Sequence, residues 1–142
     1  MGRILSIDYG SKRTGLAVTD ILKIAANPLA TVPSTGLMDY LAEYFIKEDV
    51  ELVVIGAPRQ TNNMESENMP RVQLFINKFE VRFPSLPIVK YDERYTSVLA
   101  HRAMIDGGVK RSDRRDKALV DRISAVIILQ SYLESIHYKK QI

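Results

Sequence analysis

The segment Glu51-Leu52-Val53-Val54-Ile55-Gly56 constrains the fold of this chain most, because it is short, nearly all apolar and closed by a glycine. A strand with two apolar faces needs cover on both. Such strands lie inside sheets, and the flanking sequence supplies the cover. Before the run, Leu37, Leu41, Tyr44 and Phe45 recur at helical spacing, which predicts a helix to about Glu48. After it, Val72, Phe75, Ile76 and Phe79 repeat the pattern.

The first twenty residues read as a hairpin: an apolar strand from Arg3 to Asp8, a turn through Tyr9 to Thr14, then Gly15 to Asp20. A third strand is expected near Ile24 to Val32, broken by Pro33-Ser34-Thr35-Gly36. Pro84 and Pro87 lead into a fifth strand, Ile88 to Glu93. Thr96 or Ser97 caps a helix from Val98 to about Asp106, which Gly107-Gly108 stops. A last helix runs from about Asp116 to Ser135, apolar nearly all round its middle and hence expected to be buried. A meander of three strands followed by alternating units argues an α/β fold, a mixed five-stranded sheet with helices on both faces. With 142 residues and neither repeats nor a linker, residues 1–142 read as one domain.

Composition removes several function classes. There is no cysteine, so a disulfide scaffold and a thiol nucleophile are excluded. The longest apolar run, Ala125 to Leu129, is far too short to cross a bilayer. The start of the chain lacks the apolar core of a secretion signal, and a cytoplasmic location is expected. Charge is unevenly divided: residues 1–70 hold six Lys/Arg against nine Asp/Glu, whereas residues 71–142 hold fourteen against eight. The densest positive stretch contains Lys110, Arg111, Arg114, Arg115 and Lys117, and it suits either contact with a polyanion or plain solvation.

Three acids sit in places that stability alone does not favour. Asp8 closes an apolar strand just before a turn, Glu93 ends another strand, and Asp121 shares a helical stripe with Ala125, Ile128 and Tyr132. Each has a bland explanation: Asp8 can start a turn, Glu93 can form a surface ion pair with Arg94, and Asp121 can favour the positive end of its helix. One arrangement accounts for all three, in which two strand ends and a helix converge to hold divalent cations with hard oxygen ligands. Such a site suits phosphodiester hydrolysis, and Lys12, Arg13 and Arg94 are placed to touch phosphates. His101 and His137 are weaker candidates for proton transfer.

The segments Asp8-Tyr9-Gly10-Ser11-Lys12-Arg13-Thr14-Gly15-Leu16-Ala17-Val18-Thr19-Asp20, Asp92-Glu93-Arg94-Tyr95-Thr96-Ser97, and Lys117 through Asp121 to Leu129 resemble the YqgF family in order and spacing over nearly the whole chain. The resemblance implies a ribonuclease H-like fold whose catalytic and metal-binding acids are Asp8, Glu93 and Asp121, with Mg2+ or Mn2+ as the ion. It implies a nuclease that processes the 5′ end of precursor 16S ribosomal RNA, with resolution of branched DNA junctions as the alternative. A noncatalytic factor in ribosome assembly is a third reading. The implied partners are nucleic acid and the ribosomal particle, for a monomer or a homodimer, with no membrane involved. The chain departs from the family between Arg59 and Asn68, where the glycine of a short turn is missing. Nucleotide binding of the actin and sugar-kinase kind also uses an Asp-x-Gly turn, but needs two lobes where this chain has length for one.

Overall fold

The apolar run around Val53 forms an interior strand with helices over both faces. The structure, a computed structural model, describes residues 2–57, 69–92 and 117–141. Its strands are β1 (Arg3–Tyr9), β2 (Arg13–Thr19), β3 (Ala26–Pro33), β4 (Val50–Ala57) and β5 (Ile88–Asp92). The helices are α1 (Leu37–Lys47), preceded by a 3-10 turn at Ser34–Gly36, then α2 (Met69–Arg82) and α3 (Lys117–Gln141). The five strands make one sheet in the order β3-β2-β1-β4-β5. Pairing is antiparallel for β1 with β2 and β2 with β3, and parallel for β1 with β4 and β4 with β5. This is the mixed sheet that the sequence predicts.

Side-chain alternation divides the core in two. Leu5, Ile7, Leu16, Val18, Val53 and Ile55 face α1 and α2, where they meet Leu37, Leu41, Val72, Phe75 and Phe79. Ile4, Ala17 and Val54 face the other way and pack under Ala125, Ile128, Leu129 and Leu133 of α3. β4 therefore places Val53 and Ile55 in one layer and Val54 in the other, which is why its residues 52–57 include no polar side chain.

Several boundaries differ from the sequence reading for identifiable reasons. The hairpin ladder extends to Tyr9 opposite Thr14, so the turn is confined to residues 10–12. Strand β3 starts at Ala26 rather than Ile24 because the Asp20 carboxylate accepts the backbone N–H groups of Leu22, Ile24 and Ala25 and holds them in the turn. Pro28 and Pro33 are tolerated because β3 is an edge strand. The last helix continues past Ser135 to Gln141, since no glycine or proline stops it. Nor is it buried all round: Ala125, Ile128, Leu129 and Leu133 are buried against the sheet, while Ile127 is only half-buried. The helix expected at Val98 to Asp106 and the loop Arg59 to Asn68 lie outside the described residues.

One polar contact fixes how α3 sits on the sheet. The buried Ser6 hydroxyl, between Ile4 and Asp8 on the α3 face, donates to the carbonyl oxygen of Ala125 at 2.6 Å. Ser6→Ala is expected to lower stability by about 1 kcal/mol, the usual worth of such a bond. Chemical denaturation reads this as a lower midpoint with an unchanged slope.

Candidate functional site

Alternation along β1 sends Ile4, Ser6 and Asp8 to the face covered by α3. Helix α3 runs opposite to β1, because Ser6 meets Ala125 while Ile4 shares a cluster with Ile128, Leu129 and Leu133 further along the helix. The turn before Ala125, which carries Asp121, therefore lies toward Asp8. Gly15 makes the approach close. It is the cross-strand partner of Asp8, and a Cβ built on it would lie 2.1 Å from the Asp121 carbonyl oxygen and 2.4 Å from its carbonyl carbon. Only a residue without a side chain lets the helix backbone settle there. Asp8 and Asp121 thus border the same glycine, at the end of the sheet where β1, β4 and β5 terminate.

Asp121 is not left exposed to a bare apolar wall. Arg13, which has the same parity along β2 as Gly15 and Ala17, donates from Nε to Asp121 Oδ2 at 2.7 Å. Their side chains are 39% and 21% exposed, so the pair is half-screened by water. Sequence reasoning assigned Arg13 to phosphate and missed this partner. The alternation of residues 13, 15 and 17 carried the signal, because it puts Arg13 on the face that also receives Asp121. Lys12 stands exposed in the turn beside it.

The donors fit a hard divalent cation. Asp8 and Asp121 carry carboxylate oxygens, of a kind that suits Mg2+ or Mn2+ better than softer metals. A guanidinium already rests against Asp121, so this corner of the fold favours positive charge. Among the described residues no three Asp, Glu, His or Cys side chains gather. The third expected donor, Glu93, follows the last residue of β5 and lies outside the described residues, as do Arg94, Lys110, Arg111, Arg114 and Arg115. Lys117 opens α3.

Arg13 would compete with any cation at Asp121 for the same negative charge. Arg13→Gln is expected to tighten Mn2+ binding about fivefold, the equivalent of about 1 kcal/mol for a partly exposed pair. Titration calorimetry of the full chain reads this directly. Weaker binding in the variant would make Arg13 an orienting partner of Asp121 instead.

Comparison with known proteins fixes the family. The profile described as "RuvX: Holliday junction resolvase" matches residues 2–135. The chain belongs to the RuvX family. A RuvX relative from Phocaeicola vulgatus is 58% identical over 138 residues, covering 97% of this chain and 99% of its own. One from Parabacteroides distasonis is 56% identical over 139 residues, covering 98% and 99%. Both are provisionally named pre-16S rRNA nucleases.

Among solved structures, Thermus thermophilus RuvC resembles this chain with a TM-score of 0.51 at 14% identity, covering 89% of this chain and 92% of RuvC. RuvC from T. thermophilus bound to a Holliday junction substrate gives 0.53 at 16% identity, covering 90% and 92%. At such identities the likeness speaks for the fold, which is ribonuclease H-like. The RuvX assignment agrees with the YqgF resemblance seen in the sequence. Among the described residues, no helix is long and apolar enough to cross a membrane.

Proposed function

We propose that this RuvX chain is a nuclease that hydrolyses phosphodiester bonds with a divalent cation, Mg2+ or Mn2+, and that its substrate is the 5′ end of precursor 16S ribosomal RNA in the cytoplasm. The observation that carries the reading is that Asp8 pairs with Gly15 across the ladder while the backbone of Asp121 closes on the same glycine, at the end of an α/β sheet of ribonuclease H-like form. The choice of RNA rests on the names of relatives above 50% identity.

In this reading Asp8, Asp121 and Glu93 are the catalytic acids and the metal ligands. In the sequence Glu93 keeps the every-second-residue spacing of Val89 and Tyr91, both of which pack toward α3. A cation bound there would supply a water of lowered pKa and charge stabilisation for the departing oxygen. The chain's own residues do the rest. Asp8 is fixed by its place in the β1 ladder, and Asp121 by the docking of α3, so both carboxylates are aimed before substrate arrives. Arg13 holds the Asp121 charge while no cation competes for it, and Lys12 meets the incoming strand. Arg94, Lys110, Arg111, Arg114, Arg115 and Lys117 are proposed to draw in the polyanion, an attraction that does not depend on base sequence.

A second reading, resolution of four-way DNA junctions, is favoured by the description of the family itself. Cutting a symmetric junction calls for a homodimer, whereas processing RNA is open to a monomer or to action on a ribosomal particle. A labelled panel of precursor 16S RNA, single-stranded RNA and a four-way DNA junction separates the two. Cleavage of the precursor at its 5′ end in preference to the junction supports RNA processing. The reverse preference would replace it with junction resolution.

A further inference from the structure

Asp8 and Tyr9 are consecutive on β1, so they face opposite sides of the sheet. Asp8 turns toward α3, whereas Tyr9 turns toward α2 and stacks on Phe75, with ring centroids 5.1 Å apart and planes 24° from parallel. Directly beside Tyr9 lies an open cavity of about 340 Å³ between α2, the β1–β2 turn and the 3-10 turn before α1. That volume falls at the small end of ligand pockets, roughly 300 to 1,000 Å³, and is enough for one nucleotide.

The lining is chemically divided. On one wall Arg71 and Lys78 lie two helical turns apart on α2, with Leu74 between them, 60% exposed. Neither cation has a carboxylate partner among the described residues. Facing them are the hydroxyl residues Ser11 and Thr35, and Tyr9 and Met38 complete the apolar part. Two cations with hydroxyls suit a phosphate, and a flat apolar floor suits a base.

The opposite wall is held in place from within. Ser34 donates its hydroxyl to the Gly10 carbonyl, so the 2.8 Å contact between Thr14 Oγ1 and Ser34 Oγ has Thr14 as donor. The Ser34 backbone N–H also donates to the Lys12 carbonyl at 3.0 Å. These bonds tie the β1–β2 turn to the start of α1, which gives the cavity a fixed edge. The same turn carries Lys12 over the end of β1, from the acidic site on one face to the cavity on the other.

We propose that this cavity binds one nucleotide of the RNA strand, next to the nucleotide presented to Asp8 and Asp121, with Arg71 and Lys78 on the two phosphates that flank it in the strand. The inference rests on the nuclease reading for the identity of the strand. It is tested by binding in EDTA, where no turnover is needed, so a failure to cleave bears on the nuclease reading and a failure to bind here bears on the cavity.

The experiment has two arms, run on the full chain. A labelled single-stranded RNA is titrated by fluorescence anisotropy over a range of salt, and adenosine 5′-monophosphate is titrated by amide NMR. The Arg71→Gln/Lys78→Gln variant is expected to bind RNA about five- to tenfold more weakly. Its log–log salt slope should flatten by about 1.4, at roughly 0.7 for each of the two phosphates released from a cation. The nucleotide is expected to shift the amides of Ser11, Thr35 and Leu74. An unchanged RNA affinity and slope would overturn the proposal. So would nucleotide shifts in the cavity with unchanged RNA binding, which would mark a site for free nucleotides. If the double variant melts early, Lys78→Gln alone and the wild-type NMR titration carry the same decision.

Discussion

Asp8→Asn is expected to abolish metal-dependent cleavage while leaving the melting temperature nearly where it was. The substitution keeps the shape of a side chain that sits at the end of the β1–β2 ladder opposite Gly15, so the backbone pairing of β1 with β2 is kept. What it removes is a charged oxygen from a site proposed to hold a divalent cation. Loss of an outer partner of a metal ligand commonly costs about 10- to 100-fold, so loss of a ligand should exceed about a hundredfold. The fall should appear in turnover and in Mn2+ affinity together, whereas RNA binding in EDTA should hold. Cleavage at the wild-type rate would take Asp8 out of the site.

Gly15→Ala is expected to act in the opposite order, on structure first. The new Cβ would stand 2.1 Å from the carbonyl oxygen of Asp121, and the neighbour is helix backbone, which cannot rotate aside. Either β2 or α3 must shift. Overpacking of this kind costs about 1 to 3 kcal/mol, and a backbone neighbour argues for the upper end. In a domain of this size that is roughly 10 °C in melting temperature. Because the displaced turn carries Asp121, activity should fall about a hundredfold even in the fraction that remains folded, as misplacement of a reacting group by about 1 Å does. Thermal melts and cleavage assays on one preparation read both effects. A variant with wild-type melting would show that α3 does not rest on Gly15.

The contrast between these variants reflects what the residues disclose unaided. Asp8 stands out in the sequence because an acid at the end of an apolar strand is unusual, and Asp121 because a stripe of Ala125 and Ile128 carries it inward. Both signals are local, and the local period of a strand or helix is what a sequence states most directly. Gly15, Ser6 and Arg13 are different. Their roles come from contacts across more than a hundred residues, to Asp121, Ala125 and Asp121 in turn. Such contacts exist only once α3 lies on the sheet. The same holds for element ends: the polar Gly10-Ser11-Lys12-Arg13 hides how far the ladder runs, because Arg13 is polar yet belongs to β2. The cavity beside Tyr9 was invisible for a further reason. Arg71 and Lys78 gain a setting only through Ser34, whose bonds to the Gly10 and Lys12 carbonyls hold the β1–β2 turn beside the cavity they line.

The residues of the two proposed sites divide by the face they serve. Arg13 and Asp121 lie on the α3 side, and Arg71 and Lys78 on the α2 side, with Lys12 at the crossing. A strand that follows this path would bend over the end of β1. That geometry separates two kinds of loss: variants on the α3 side should change turnover and metal affinity, and variants on the α2 side should change binding and its salt dependence.

The most direct measurement is cleavage of 5′-labelled precursor 16S RNA by the wild-type chain, free and within the ribosomal particle, with Mg2+, with Mn2+ and with EDTA. A cut at the 5′ end that requires either cation is the predicted result. Absence of cleavage under every condition, or cleavage that persists undiminished in EDTA, would contradict a metal-dependent nuclease built on Asp8 and Asp121.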